Sequence, residues 1–449
     1  MTELAVIVLA AGMGTRMKST LPKVLHKAAG RSLLGHVLHA ARNIDASTVV
    51  VVHGPGHDNV KTASCGVLPD CLFAEQTERK GTGHAVMMAE DALKTFNGTI
   101  LILYGDVPLI QPETLTALLA ALDAEHPMAV LGFNAANPFG YGRLLKQGGT
   151  VTAIREQKDA TEAERGITLC NSGIIAIAAK QLWPILKQLT PANAQGEYYL
   201  TDVVELMAKA GHPCALSLCD EAEVAGVNDR LQLSIIEAEF QRRLRRSAML
   251  DGATLLAPET VYFSADTKIG KDVIIEPNVF FGPNVTIGDE VEILASSHLE
   301  GATVAKGARI GPFARLRPGA EIGENAHVGN YVEIKKAKLG KGAKVNHLTY
   351  IGDAIIGAGS NIGAGTITCN YDGYEKHLTD IGENVFVGSN TALVAPLKIG
   401  AGANIAAGSV ITADVPADAL AMSRAPFTIK EGWARRYRAM KAALKARKA

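Results

Sequence analysis

The first 229 residues alternate short apolar runs with segments whose apolar residues recur at helical spacing. The runs are rich in β-branched residues and end in turn formers, which predicts strands. They are LAVIVLAA, STVVVVHG, TILILYGD, MAVLGFN, GIIAIAA and CALSLCD. Helical patterns at 32–43, 83–95 and 112–124 lie between them. Strands separated by helices predict a parallel sheet covered on both faces, which binds ligands at the carboxyl ends of its strands.

A single long helix is predicted at residues 230–250, between two regions with different patterns. Asp229 suits the N-cap, and Gly252 suits the position after the last turn. Such a helix would span ~30 Å. Four arginines at 242, 243, 245 and 246 suit the negative end of the helix dipole, and we expect them to be solvated.

The pattern changes to a period of six at Ile269. Inward positions are predicted at 269, 275, 281, 287, 293, 299, 304, 310, 316, 322, 328, 334, 339, 345, 351, 356, 362, 368, 381, 387, 393, 399, 405 and 411. Thr368 is the polar member of this series, directly before the insertion CNYDGYEKHLTD. Hexapeptide repetition predicts a parallel β-helix whose coils stack ~4.8 Å apart. The expected domains are therefore 1–229, a linker helix at 230–250, and 251–449.

Composition narrows the class of protein. The chain has 449 residues, 47% of them hydrophobic and 20% charged, as in an ordinary globular protein. Its 45 basic and 45 acidic residues give zero formal net charge, which argues against a dedicated nucleic-acid binder. No apolar run reaches the ~18 residues of a membrane span. The six cysteines lack CxxC spacing, so we expect reduced thiols in a cytoplasmic protein.

A glycine-containing loop, VLAAGMGTRMKSTLPK at 8–23, follows the first predicted strand. It has neither the P-loop spacing nor the third glycine of the dinucleotide fingerprint. Its backbone N–H groups can still form an anion nest, and Arg16 and Lys23 add positive charge. Asp106 ends another strand at the same edge, where a carboxylate is a suitable Mg²⁺ ligand. The alternatives are surface charges for the two cations and a turn or cap role for Asp106.

Polar residues interrupt the hexapeptide pattern in one region of the second half. Arg317, Lys335 and Tyr350 occur about one coil apart and could line a common edge. His347 and Asn361 lie nearby in sequence. A histidine, with an ordinary pKa of ~6.5, suits the role of general base, and the alternative is a structural histidine.

Several motifs together resemble one family. They are LAAGMGTRMKSTLPKVLH, QTERKGTGHA, YGDVPLI, GYGR, NAQGEYYLTD, GVNDRLQL, HLTYIGDA, NIGAGTITCNYDG and KEGW. With them, nearly the whole chain resembles the bacterial bifunctional N-acetylglucosamine-1-phosphate uridylyltransferases / glucosamine-1-phosphate N-acetyltransferases. The resemblance implies a Rossmann-like nucleotidyltransferase domain, a left-handed parallel β-helix, a cytoplasmic homotrimer, and UDP-N-acetylglucosamine synthesis for peptidoglycan and lipopolysaccharide.

The resemblance also implies the residues of the uridylyl transfer site. Mg²⁺ would be held by Asp106 and Asn228, with Arg16 and Lys23 acting on the phosphates of UTP. Further contacts to UTP or to the sugar phosphate are implied at Leu9, Ala10, Ala11, Gly12, Gln76, Gly81, Thr82, Tyr104, Gly105, Gly140, Glu156 and Asn171.

For acetyl transfer, the resemblance makes His347 the general base. Glucosamine-1-phosphate would contact Arg317, Lys335, Tyr350 and Asn361. Acetyl-CoA, the co-substrate, would contact Ala364, Asn370, Tyr371, Ser389, Ala407 and Arg424. Two other functions compete with this interpretation: a monofunctional nucleotidyltransferase whose solenoid only assembles subunits, and a non-enzymatic solenoid.

Overall fold

A computed structural model describes residues 3–447. The chain divides into two compact units, Met1–Leu244 and Arg245–Ala449. The division falls inside a continuous helix at Arg230–Leu250. Each unit is described by itself.

The first unit contains a nine-stranded sheet and a small two-stranded one. Its strands are β1 (Leu4–Ala10), β2 (Lys27–Ala28), β3 (Arg31–Ser32), β4 (Thr48–His53), β5 (Leu72–Glu75), β6 (Thr99–Tyr104), β7 (Met128–Asn134), β8 (Arg143–Gln147), β9 (Thr150–Arg155), β10 (Leu169–Ala178) and β11 (Cys214–Leu218). The large sheet has the order β5-β4-β1-β6-β10-β7-β11-β9-β8. All six predicted strands are present.

The prediction of a wholly parallel sheet is wrong. Strands β5, β4, β1 and β6 are parallel, but β10 runs antiparallel to both β6 and β7. Strands β8 and β9 form an antiparallel hairpin at one edge. An apolar run reads the same in either direction, so its pattern does not fix strand direction; the connection between strands does.

Helices cover both faces of this sheet. They are α1 (Leu33–Asn43), α2 (Asp58–Cys65), α3 (Thr82–Met87), α4 (Glu90–Leu93), α5 (Pro112–Ala120), α6 (Glu162–Arg165), α7 (Ala179–Leu186), α8 (Asp202–Lys209) and α9 (Arg230–Leu250), with 3₁₀ turns at Thr15–Met17, Lys23–Leu25 and Glu221–Val224. The predicted helix 83–95 is thus two short helices, α3 and α4. In β1, Val6 and Val8 belong to one core and Ile7 to the other, so the strand is buried on both sides.

Helix α9 begins and ends as predicted. The carboxylate of Asp229 accepts a hydrogen bond from the backbone N–H of Gln232 at 2.9 Å. Gly252, with φ of 107°, follows the last turn in a conformation that favours glycine. Ile236 of this helix is buried with Met17 and Val227 of the first unit.

The arginines of α9 are not all solvated, and that expectation is wrong for Arg245. Its side chain is buried: Nε donates to the carbonyl of Val261 at 2.8 Å, and Nη1 pairs with Glu259. The planar guanidinium satisfies several acceptors at once, which allows it to be buried. Arg242 remains exposed and pairs with Glu239.

The second unit is a parallel β-helix. Its strands are β12 (Thr254–Leu255), β13 (Lys268–Ile269), β14 (Ile274–Ile275), β15 (Phe280–Phe281), β16 (Thr286–Ile287), β17 (Glu292–Ile293), β18 (His298–Leu299), β19 (Ala302–Val304), β20 (Arg309–Ile310), β21 (Arg315–Leu316), β22 (Ala320–Ile322), β23 (His327–Leu339), β24 (Lys344–Ile356), β25 (Asn361–Ile362), β26 (Ile367–Cys369), β27 (Thr379–Ile381), β28 (Phe386–Val387), β29 (Ala392–Val394), β30 (Leu397–Ile399), β31 (Asn404–Ile405), β32 (Val410–Ile411) and β33 (Leu420–Ala421). A 3₁₀ turn at Pro258–Thr260 and a C-terminal helix, α10 (Trp433–Ala446), complete it.

The six-residue period predicted from the sequence is also the spacing of the side chains that fill the core of the β-helix. Ile275 pairs in register with Ile293, and Ile293 with Ile310, so each short strand stacks on the third strand along the chain. Every predicted inward position is buried except Ile269, which is half-buried in the first coils. Three hexapeptides therefore close one coil.

Thr368 occupies its inward position for a structural reason. Its Oγ1 accepts a hydrogen bond from the backbone N–H of Gly352 at 2.8 Å and lies 3.1 Å from the Gly352 carbonyl, to which it donates. The insertion begins directly after this coil position, where ladder pairing is interrupted. A hydroxyl thus satisfies buried backbone groups that an aliphatic side chain would leave unpaired.

Candidate active sites

The glycine loop after β1 brings Lys23 to the carboxyl edge of the sheet. Gly14 has φ of 60°, and a Cβ added to it would lie 2.5 Å from the Cβ of Lys23. A side chain at Gly14 would therefore push Lys23 away, both by its conformation and by its bulk.

A cavity of about 260 Å³ lies at this edge. It is lined by Leu9, Ala10, Ala11, Gly12, Lys23, Val24, Gln76, Arg79, Gly81, Thr82, Ala85, Tyr104, Asp106 and Glu197. Most of the predicted nucleotide contacts thus surround one space, although they come from three separate segments, 9–23, 76–82 and 104–106. Gly105 follows Tyr104, and its N–H donates to the carbonyl of Leu9 at 2.9 Å.

Arg79 is the main lining residue that sequence reasoning missed. Its Nε donates to the carbonyl of Ala11, in the glycine loop, at 3.3 Å. It lies in the quoted motif QTERKGTGHA, three residues after Gln76. Its position in the sequence, as a cation three residues from a predicted nucleotide contact, was the signal that could have indicated its role.

Lys23 joins the two proposed metal ligands. Its Nζ donates to Asp106 Oδ2 and to Asn228 Oδ1, the latter at 3.2 Å. The side chains of Lys23 and Asp106 are only 12% and 19% exposed. The N–H of Val227 donates to the carbonyl of Asp106 at 3.0 Å, which holds the two segments together.

These oxygens fit a small divalent cation. Asp106 and Asn228 converge on one point, as their shared contact with Nζ shows, and both present the hard oxygen atoms that Mg²⁺ prefers. Among residues 3–447 there is no cluster of three or more His, Cys, Asp or Glu side chains arranged to hold a metal. One carboxylate and one amide suit Mg²⁺ that keeps waters and substrate phosphates as its other ligands.

Gln76 is buried and fixed. Its Nε2 donates to the carbonyl of Gly81 at 3.1 Å. Gly81 has φ of 103°, and a Cβ there would lie 2.6 Å from the carbonyl oxygen of Tyr198. The loop that carries Gln76 and Thr82 therefore packs closely against the backbone of Tyr198.

Tyr104 connects this cavity to the predicted sugar contacts. A Cβ at Gly173 would lie 2.7 Å from its ring, so the ring packs on the backbone next to Asn171. Burial raises the pKa of Tyr104, and the charges of Glu156 and Asp106 raise it further. Both carboxylates therefore lie close enough to Tyr104 to act on it electrostatically.

The predicted sugar contacts lie outside the first cavity. Glu156 lines a neighbouring cavity of about 310 Å³ and accepts a hydrogen bond from Thr201 at 3.1 Å. Burial is the main cause of the raised pKa of Glu156. Asn171 is buried, and the N–H of Gly140 donates to Gln157 at 3.1 Å.

Arg16 lies apart from these groups. It is exposed on the 3₁₀ turn Thr15–Met17 and is not among the described residues that line either cavity. A role for Arg16 on the phosphates would require its long side chain to reach over the loop.

In the second unit, the predicted base and the predicted acetyl-CoA contacts form one column. Val345, Ile362, Val387 and Ile405 pair in register on successive coils. The residues two positions further therefore stack in the same order: His347, Ala364, Ser389 and Ala407. Backbone hydrogen bonds follow this order. The N–H of Gly365 donates to the carbonyl of His347 at 3.2 Å, that of Asn390 to Ala364 at 2.7 Å, and that of Gly408 to Ser389 at 2.8 Å. Arg424 Nη1 donates to the carbonyl of Ala407 at 3.1 Å, which places it at the end of the column.

His347 is exposed and oriented by Asn330. Its Nδ1 lies 2.9 Å from Asn330 Oδ1, one coil earlier and in register. An amide oxygen only accepts, so this bond places the proton of neutral His347 on Nδ1 and leaves Nε2 free to accept one. Sequence reasoning missed Asn330, which lies 17 residues before His347.

A group of cations lies past the next corner of the coil. The register of Leu316 with Ile334 places Arg317 beside Lys335. The nearby Lys376 lowers the pKa of Lys335, and Arg317 contributes further. An anion would relieve the repulsion between Lys335 and Lys376, whereas Arg317 already pairs with the carboxylate of Glu333 at 2.7 Å. Lys376, in the insertion, was not predicted.

The two parts of this site occupy adjacent faces of the solenoid. Leu348, with φ of 49°, forms the corner between His347 and Tyr350. Asn361 pairs with Lys344 and so lies on the face of His347. At the insertion, Asn370 is buried and Nδ2 donates to Asp353, while Tyr371 is exposed and its hydroxyl donates to the carbonyl of Gly373 at 2.6 Å.

Comparison with known proteins connects both sites to one family. The MobA-like NTP transferase domain matches residues 6–225, and the bacterial transferase hexapeptide matches 266–301, 301–336 and 379–413. A relative from Rhodospirillum rubrum named "Bifunctional protein GlmU" is 56% identical, with 98% of each chain covered. One of the same name from Paramagnetospirillum magneticum is 52% identical, covering 100% of this chain and 99% of its own. The chain belongs to the family of bifunctional GlmU proteins.

Membership in the GlmU family confirms the predicted enzyme class and both activities, uridylyl transfer and acetyl transfer. It also confirms a nucleotidyltransferase domain followed by a left-handed β-helix of hexapeptide repeats. The two competing functions, a monofunctional nucleotidyltransferase and a non-enzymatic solenoid, are therefore set aside. None of the helices within residues 3–447 is long and apolar enough to cross a membrane.

Proposed function

We propose that the chain makes UDP-N-acetylglucosamine in two steps at the two sites described above. The second unit transfers the acetyl group of acetyl-CoA to glucosamine-1-phosphate. The first unit then transfers uridylyl from UTP to N-acetylglucosamine-1-phosphate and releases pyrophosphate. The observation that carries the proposal is the column from His347 to Ala407, because it leads from a general base along the predicted acetyl-CoA contacts.

In acetyl transfer, Nε2 of His347 accepts a proton from the sugar amine as the nitrogen attacks the thioester carbonyl. The bond from nitrogen to carbon forms, and the bond from carbon to sulfur breaks as CoA leaves. Arg317 and Lys335 bind the sugar phosphate as charge-assisted donors. Tyr350 and Asn361 orient the sugar.

The same site binds acetyl-CoA along the column described above. Ala364, Ser389 and Ala407 present backbone groups at successive coils, and Arg424 supplies a charge at the far end. Asn370 and Tyr371 close on the reacting end from the insertion. No acyl-enzyme is needed, because the amine attacks the thioester directly.

In uridylyl transfer, a phosphate oxygen of the sugar phosphate attacks the α-phosphorus of UTP in line, and pyrophosphate leaves. Catalysis then consists of positioning and charge stabilisation. Asp106 and Asn228 would hold Mg²⁺, which supplies charge neutralisation and orientation of the phosphates when bound. Lys23 and Arg16 act on the phosphates, and Gln76 reads the edge of uracil with Gly81 and Thr82 beside it. Gly140, Glu156 and Asn171 contact the sugar.

We also propose a cytoplasmic homotrimer. The six cysteines are free thiols, as a reducing compartment would keep them. The acetyl transfer residues occupy two adjacent, exposed faces, so another subunit beside them would exclude water from the site. A monomer by light scattering that retains full acetyl transfer would contradict the trimer.

The two activities should separate by site. We expect His347→Ala to lower acetyl transfer by ~10²–10⁴-fold, the usual contribution of a general base, and to leave pyrophosphate release unchanged. Asp106→Ala should do the reverse. The two activities are assayed separately: CoA thiol is measured with glucosamine-1-phosphate and acetyl-CoA, and pyrophosphate is measured with N-acetylglucosamine-1-phosphate, UTP and Mg²⁺, so that the second activity does not depend on the product of the first. The melting curve of each variant checks that its mutated unit is folded, and a His347→Ala protein with normal kcat and only a raised KM would refute its role as the base.

A further inference from the structure

The side chain of Lys23 occupies the point on which the two proposed metal ligands converge. We infer that Lys23 acts as an internal stand-in for the metal, excluding free Mg²⁺ and moving to the phosphates when Mg²⁺ arrives with the nucleotide. This inference rests on the proposed Mg²⁺ site at Asp106 and Asn228.

The geometry makes the lysine and the metal mutually exclusive. Nζ contacts Asp106 Oδ2 and, at 3.2 Å, Asn228 Oδ1. A cation bound by these two oxygens would have to lie where Nζ lies, and two like charges in a largely buried site repel each other strongly. Metal binding to the free enzyme therefore requires Lys23 to break its contacts with both Asp106 and Asn228.

The nucleotide supplies that partner. Lys23 lines the cavity predicted to hold UTP, so its ammonium can move from a carboxylate to a phosphate oxygen and keep a charge-assisted hydrogen bond. Its backbone need not move: the Cβ is held against Gly14, and only the three carbons beyond it, with the ammonium group, have to rotate. Mg²⁺ and UTP thus bind cooperatively, with Lys23 as the exchanged group.

Removing the charge of Lys23 should expose the metal site. The probe is Mn²⁺ alone, titrated into the full chain without nucleotide, with free Mn²⁺ measured by electron paramagnetic resonance. Lys23→Met keeps an unbranched side chain of the same length as the lysine stem and loses the ammonium. We expect it to bind Mn²⁺ at least about tenfold more tightly than the wild type. Lys23→Arg keeps the charge and should remain as weak as the wild type.

Two controls make the result specific. Lys18→Met removes an exposed lysine from the same loop and should leave Mn²⁺ binding unchanged. In Lys23→Met, the further change Asp106→Asn should abolish the added affinity. The thermal melting curve of each protein checks that the first unit, which carries the substitutions, is folded.

The inference and the proposed function fail in different ways. Equal Mn²⁺ affinity of Lys23→Met and the wild type, without nucleotide, overturns the inference. UTP, added without sugar phosphate so that it is not consumed, should raise the Mn²⁺ affinity of the wild type far more than that of Lys23→Met. If wild type with UTP binds Mn²⁺ no differently from Asp106→Asn with UTP, the proposed metal site itself is wrong.

Discussion

Asn330 should set the rate of acetyl transfer through His347 without touching the reaction itself. Asn330→Ala removes the acceptor that lies 2.9 Å from Nδ1 and frees the imidazole to rotate and to exchange tautomers. The variant should therefore fold normally and bind substrates normally. It should still turn over more slowly, because fewer histidines present an unprotonated Nε2 to the amine.

The magnitude follows from the change of charge during the reaction. A hydrogen bond from neutral imidazole contributes about 0.5–1.5 kcal/mol, and one from imidazolium about 1.5–3 kcal/mol. The bond to Asn330 thus strengthens by about 1–1.5 kcal/mol as His347 takes the proton, which corresponds to about 5- to 13-fold in kcat. Because His347 is exposed and water competes for Nδ1, we expect the lower end, about fivefold.

The assay is kcat and KM for CoA release across pH 6–9, with the melting temperature of the same preparation as the folding control. Asn404→Ala, at an exposed asparagine four strands further along the same face, is the matched control and should change kcat less than about twofold. Asn330→Asp should move the acid limb of the pH profile upward, because a carboxylate favours the protonated imidazole. If Asn330→Ala raises only KM, or keeps kcat within twofold at every pH while His347→Ala is inactive, the positioning role is refuted.

Three further changes test the fold that supports the sites. Thr368→Val should destabilise the solenoid by about 1–2 kcal/mol, because the loss of the hydrogen bonds to Gly352 outweighs about 0.8 kcal/mol of added apolar burial. The check is amide exchange at Gly352, which should be faster in Thr368→Val than in Thr368→Ser. Burial raises the pKa of Glu156, so the free energy of unfolding should fall as pH rises from 4.5 through that raised pKa. Glu156→Gln should therefore have a higher melting temperature than the wild type at pH 7.5, and this gain should disappear below pH 4.5. A fragment of residues 1–244 should retain uridylyl transfer and melt higher than 1–229, which lacks the buried Ile236; equal melting temperatures would contradict this.

Sequence alone predicted features that depend on a local, repeated interaction. Each inward aliphatic of the hexapeptide pattern meets its copy one coil away, so the period in the sequence is also the period of the core. The strands of the first unit were predicted because each is apolar enough to be buried by itself. The end of β1 and the end of β6 then had to meet at one edge, which brought Lys23 and Asp106 into one cavity as expected.

Tertiary structure decided which distant side chains meet. Four features have no periodic pattern in the sequence, because each depends on residues that only the folded chain brings together. They are the direction of β10, the hydrogen bond between His347 and Asn330, the burial of Arg245 and the approach of Lys376 to Lys335. The contact of Lys23 with both Asp106 and Asn228 is of the same kind: residue types proposed a cation and two oxygen ligands, and only the folded edge of the sheet showed that the cation sits between the ligands. Apolar burial is additive along a chain and can be read from it, whereas a specific polar contact depends on ångström distances that only packing fixes.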